Sequence, residues 1–233
     1  ALVASMVLVL VSCAAHGYGV FAGMALRPDL LLSAVAVGLL LAGAWTLFVG
    51  ARRAPFTQGA NNNASGVSVL LALAKRLSER PLTSSDVLLV ATGSKENWLS
   101  GMRQLFRGLR ADKGSVLFVN VAGVGAGQLR YVTGEGMLHV YSAGPQLLEA
   151  AHEVAPAHAA RPMVWRNLPT DALIPMARGY EAMSIQASGP NDVPVAWNSE
   201  TDRTDQVEMK SLGRGTDFVE SLLRRVDARP PAA

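Results

Sequence analysis

Charged positions are almost absent from the start of the chain. From Ala1 to Leu26 there is no Asp, Glu, Lys or Arg; Arg27-Pro28-Asp29 interrupts, and Leu30 to Gly50 is again uncharged. Each stretch matches the roughly 20 apolar residues that cross a hydrocarbon core as a helix. The pattern predicts a transmembrane helical hairpin over 1–53, its tight turn at Arg27-Pro28-Asp29 and an interfacial anchor at Trp45 and Phe48. A signal peptide is the competing reading of the first stretch. It wants a basic start, and no Lys or Arg precedes Arg27. His16 lies within this stretch, near enough to a span end to reach the interface.

Beyond Gly50 the pattern changes to alternating helix-like and strand-like segments, predicted to form one α/β domain over 54–233. Helical spacing of Val67, Leu70, Leu71, Leu73, Ala74 and Leu77 predicts a helix over 65–79. Met102, Leu105, Phe106 and Leu109 place another over 98–111, with helices also expected over 144–154, 171–178 and 217–226. Short apolar runs predict strands at 86–92 (DVLLVAT) and 115–121 (SVLFVNV), the second buried on both faces because it does not alternate. A hairpin is expected from 128–133 and 137–142 around Gly134-Glu135-Gly136, and strands at 181–186 and 193–197. This order implies an α/β three-layer sandwich with a mostly parallel mixed sheet, preceded by two transmembrane helices.

Composition narrows the functional classes. The formal net charge is +3, and the Lys and Arg residues are scattered over predicted helix faces, so no nucleic-acid partner is expected. Cys13 is the only cysteine, which excludes an internal disulfide and a cysteine-based zinc site. Arg52 and Arg53 after the second span favour a cytoplasmic side for a multi-pass membrane protein. The pattern makes membrane lipid, through the hairpin, an expected partner.

Gly59 to Gly66 reads GANNNASG and runs directly into a predicted helix. It resembles GANDNASG of the zinc-dependent aminopeptidases in family twenty-eight of the metallopeptidases. The resemblance continues in order along the chain. Gly93-Ser94-Lys95-Glu96-Asn97-Trp98-Leu99-Ser100-Gly101 is similar to G-x-E-E-x-G-L-x-G, and Asn120 to Gly125 to N-x-D-x-x-G. Thr170-Asp171-Ala172 resembles the segment before the last core strand, and Asn198 to Val207 resembles H-T-x-x-D-T-x-D-x-V. The resemblance implies the zinc-exopeptidase fold.

The family's chemistry uses two zinc ions that polarise a carbonyl and activate a water, with a carboxylate general base. On this resemblance the bridging Asp is replaced by Asn62, the base Glu by Lys95, the Asp of N-x-D by Ala122 and the late His by Asn198. Only Glu96 stands as a ligand type, and a catalytic zinc takes three protein ligands. An upstream H-x-D is missing as well. It was lost, or it precedes Ala1 and the hairpin is an insertion, which suits a chain that starts with Ala.

The resemblance thus implies a membrane-anchored peptidase-like domain without zinc or catalysis, acting as a binding or scaffold module. Asn62, Lys95, Glu96 and Asp202 are the expected ligand-binding cleft, with Lys95 paired to Glu96 or Asp202 as the simpler outcome. Ser65 and Gly66 are expected to cap and pack the helix, and His139, His152 and His158 to be ordinary structural histidines. A zinc-dependent exopeptidase releasing amino acids from peptides, with zinc as its cofactor, is the alternative. A structural subunit of a membrane complex is a third reading.

Overall fold

In the computed structural model the described residues are Val11, Ala14, 27–53 and 56–229. They divide into two units, one ending at Phe56 and one beginning at Thr57.

The first unit contains helix α1, Arg27–Arg53. Its window Val35–Arg52 is long and apolar enough to cross a membrane. The Arg27-Pro28-Asp29 tripeptide begins this helix rather than forming a separate turn, since proline's fixed φ suits a first helical turn. Apart from Val11 and Ala14, both helical, the first predicted span and the positions Cys13 and His16 lie outside the described residues. Near the end of α1, Trp45 and Phe48 pack with ring centroids 6.0 Å apart, and the Arg52 guanidinium sits 4.5 Å over Phe48.

The second unit opens with a π-helical turn, Ala60–Ser65, leading into α2, Gly66–Glu79. Helix α3 is Ser100–Gly108. Strands β1 (Leu117–Val121), β2 (Gln128–Glu135) and β3 (Tyr141–Ser142) follow, then α4 (Pro145–Val154) and β4 (Arg161–Trp165). Helix α5 (Leu173–Ala177), strand β5 (Glu181–Ser188) and helix α6 (Met209–Asp227) complete the unit.

The sheet runs β1-β5-β2-β3, with β4 also paired to β2. It is mixed: β1 with β5 and β2 with β4 are parallel, while β2 is antiparallel to β5 and β3. The antiparallel share is larger than the alternation of elements suggests, because the predicted hairpin forms as β2–β3 and β2 also lies antiparallel beside β5.

Side chains alternate across a strand, so register assigns the layers. Leu129, Tyr131, Met183 and Ile185 share one face, which α2, α4 and α6 cover through Val69, Leu73, Leu147, Ala150, Phe218 and Leu222. On the opposite face Phe118 meets Leu99, Met102 and Ile174, while Val132, Met163 and Trp165 form a separate cluster. Helices thus lie on both faces of the sheet, as the three-layer reading requires.

Two predicted strands are corrected. The run 86–92 forms no strand, and Val87 and Leu88 are exposed. Apolar, strand-favouring sequence becomes a strand only where another backbone pairs with it. Residues 193–197 form a loop and turn, closed by a hydrogen bond from Trp197 N–H to the Pro194 carbonyl (3.3 Å).

Candidate functional site

The GANNNASG segment is shaped by backbone requirements. Gly59 has φ 65°, the left-handed region that glycine enters without strain. A Cβ on Gly66 would stand 2.5 Å from the Val121 carbonyl oxygen, so only glycine lets α2 start this close to the end of β1.

Asn61 is buried and binds in four directions. Its backbone N–H donates to Asp202 Oδ1 (2.6 Å) and its Nδ2 to the Val195 carbonyl (2.9 Å). Its Oδ1 accepts from Gly125 N–H (2.8 Å), and its carbonyl accepts from Ser65 Oγ (2.6 Å). Ser65 Oγ in turn accepts from Val124 N–H (3.0 Å). Ser65 therefore ties the turn to the loop after β1, and its hydroxyl makes no capping bond to α2, contrary to the role expected of it.

Of the positions that the resemblance assigns to metal, Asn62, Asn198 and Ala122 border this lock. Asn62 Nδ2 approaches Asn198 Oδ1 at 3.4 Å, so a neutral amide pair occupies the bridging-carboxylate and histidine positions. Ala122 follows β1 and contributes only its backbone, donating N–H to the Ile185 carbonyl (2.9 Å). Lys95 Nζ lies 3.2 Å from Glu96 Oε1, with the two side chains 27% and 61% exposed. The lysine is thus paired with Glu96, not with Asp202. Asp202 is buried, and its Oδ2 accepts a second backbone bond, from Asn62 N–H (3.1 Å). Its carboxylate faces inward to hold the turn, so it is not a wall of an open cleft.

A second acidic group, which sequence reasoning missed, lies close by. Glu135 ends β2 fully buried, with Oε2 accepting from Thr170 Oγ1 (2.8 Å) and Ser184 Oγ (3.2 Å) and Oε1 from Thr170 N–H. Asn120 Nδ2 extends the network to Ser184 Oγ (3.1 Å). Asp171 is also buried; Thr92 Oγ1 donates to its Oδ2, while its Oδ1 has no hydrogen-bond partner among the described residues. Burial pushes both carboxyls above their usual range, and the Lys95 ammonium opposes the shift in each. In the sequence Glu135 stands in a Gly-Glu-Gly that reads as a hairpin turn, and Asp171 stands out only within Thr170-Asp171-Ala172.

Among the described residues no group of three or more His, Cys, Asp or Glu side chains converges as metal ligands would. Asn62 and Asn198 supply neutral amides, Ala122 supplies no donor, and Lys95 supplies a cation. The residues present do not fit zinc. The three histidines have structural partners. His152 Nδ1 meets Tyr131 Oη (2.5 Å), His158 Nε2 meets Ser221 Oγ (3.0 Å), and the His139 ring packs edge-on against Tyr141.

The loop over Lys95 is closed on itself. A Cβ at Gly101 would fall 2.2 Å from the Gly93 carbonyl oxygen, so these two family-like glycines touch. Trp98 stands where the resembling pattern has Gly and takes a left-handed φ of 52°, as Leu99 does at 58°. This geometry turns Leu99 into the core and Trp98 outward, where it is 74% exposed.

Comparison with known proteins agrees with the fold and the order of segments. The sequence matches the model of Peptidase family M28 over residues 46–223. No curated protein matches it. Among solved structures it is similar to BSAP, a zinc aminopeptidase from Bacillus subtilis, with 20% identity and a TM-score of 0.60 over 72% of this chain and 42% of that one. The LapA aminopeptidase of Legionella pneumophila aligns with 12% identity and a TM-score of 0.62, over 75% and 48% of the two chains. A glutaminyl cyclase from Bacteroides thetaiotaomicron aligns at 17% and 0.51, over 72% and 63%. The chain therefore spans less than half the length of these aminopeptidases, and at such identities the likeness concerns the fold. With the matched region covering most of the sequence, the chain belongs to Peptidase family M28.

Proposed function

We propose that the chain is a membrane-anchored aminopeptidase-like domain that binds no zinc, does not hydrolyse peptides, and serves as a binding or scaffold module for a peptide or protein partner. The observation that carries this reading is the Asn62–Asn198 amide pair, together with the Lys95–Glu96 ion pair, at positions to which the resemblance assigns carboxylates and imidazole. A neutral amide cannot supply the negative charge that two cations share. A protonated Lys95 neither takes a proton from water nor tolerates a divalent ion close by. In this reading residues 1–26 form a second span, and Arg52 and Arg53 lie on the cytoplasmic side.

Metal content tests the proposal. The full-length protein, purified in detergent without chelator and then supplied with zinc, is expected to hold none above background by mass spectrometry. About one or two zinc ions per chain would favour the other reading that family membership supports, an exopeptidase releasing amino acids from peptides.

A further inference from the structure

Among the exposed apolar side chains of the domain, Trp98, Met137 and Leu138 stand together along one groove. Met137 is 57% exposed and Leu138 is fully exposed at the tip of the β2–β3 hairpin. The tip is fixed by Gly136, whose φ of 146° and close approach to the His139 carbonyl leave no room for a Cβ. Trp98 lines the same open groove of about 340 Å³ as Met137 and Leu138, with Arg103 and His139 beside them. Arg103 is held against the loop by its Nε–H bond to the Trp98 carbonyl (2.8 Å). The nearest acidic side chain on this loop, Glu96, is already paired with Lys95, so Arg103 sets the charge of the rim.

We propose that this face docks onto a lipid bilayer, with Trp98, Met137 and Leu138 in the interfacial layer and Arg103 and His139 toward headgroup phosphates. Tryptophan flanked by aliphatic side chains and cations is the composition that partitions to this layer. Position along the chain selects lipid over other occupants. Trp45, Phe48 and Arg52 mark the C-terminal end of α1 as its headgroup-level end. The domain begins at Thr57, shortly after α1 ends at Arg53. The connecting chain reaches about 14 Å at full extension, so the domain meets that bilayer at high effective concentration. The inference rests on the reading of α1 as a membrane span, and not on the loss of zinc.

Spin-label depth measurements test it. Cys13→Ser in the full chain permits single labels at Leu138→Cys, at Trp98→Cys, at Leu41→Cys within α1, and at Glu79→Cys as an exposed control. The labelled proteins are reconstituted in nanodiscs of zwitterionic and anionic phospholipid. Labels at 138 and 98 are expected to collide with oxygen at least several-fold more often, relative to a water-soluble nickel chelate, than the label at 79. A lipid-like value at 41 with water-like values at 98 and 138 overturns the docking face and leaves the anchor standing. Immobilised labels at 98 and 138, shielded from both reagents, overturn it in favour of a protein partner. A water-like value at 41 removes the anchor itself and the inference with it. In parallel, Arg103→Glu is expected to lower the oxygen preference at 138 in anionic nanodiscs and much less in zwitterionic ones. An equal change in both would remove the phosphate role of Arg103.

Discussion

Asp202 shows how a residue that reads as part of a cleft becomes structural. Its two oxygens accept the backbone N–H groups of Asn61 and Asn62, joining chain positions far apart in sequence. Removing a buried charged acceptor leaves both donors unsatisfied, so Asp202→Ala is expected to cost about 3 kcal/mol, and Asp202→Asn about half of that. Urea unfolding of the full chain in detergent measures this; a loss below about 1 kcal/mol would mean that water replaces the carboxylate. Glu135 acts with a different sign. Burial raises its carboxyl pKa in the folded state, against the bonds donated by Thr170 and Ser184 and the charge of Lys95. In the unfolded chain it ionises at about 4.3. Its contribution to stability is therefore whole below about pH 4 and is lost as the pH rises through the folded value. Asp171, raised by burial, has the same sign. Glu135→Gln is expected to lose less stability than the unmutated chain between about pH 4 and 8, with Asp171 and Glu181, both raised by burial, still contributing slope of the same sign. Parallel stability curves would show that Glu135 titrates alike in both states.

At the scale of elements, the 93–101 loop and the β2–β3 hairpin are held by contacts that only glycine permits. Gly101→Ala pushes a methyl group into the Gly93 backbone, which displaces Leu99 from the cluster with Met102 and Ile174. The expected cost is about 2 kcal/mol by thermal or urea unfolding, within the range for overpacked sites. A neutral result would mean that the loop opens without strain. Helix α2 is legible because its apolar positions recur at helical spacing, α4 is legible over its length and α6 only from Asp217 although it begins at Met209, and β1 and β5 are legible because they are short apolar runs between turn residues. The failure at 86–92 has a physical cause. Periodicity reports which side chains seek burial, whereas a strand needs a neighbouring backbone to accept its hydrogen bonds. The loop at 193–197 follows the same logic, since the Val195 carbonyl is used by Asn61 Nδ2 rather than by a strand.

At the scale of the molecule, the apolar N-terminal region and the α/β domain are different materials joined in one chain. A helix that is apolar on all sides suits lipid, while the domain hides its apolar side chains on both faces of a sheet and surrounds them with polar positions. The order of family-like segments from Gly59 to Val207 was enough to imply the zinc-exopeptidase fold, and the solved relatives share it. The sequence by itself determined the fold class, the helix over α1, and the chemical identity of the groups at the positions that the resemblance assigns to metal, because composition and spacing fix which side chains exist and in what order they return to the sheet. Only the tertiary structure decided what those groups do. It turned Asp202 inward, joined Asn62 to Asn198, gave Lys95 to Glu96, buried Glu135 next to Thr170 and brought Trp98 beside Leu138. Each of these pairings joins groups through space, and the energy of a hydrogen bond or a buried charge depends on distance and surroundings that appear only once the chain has folded.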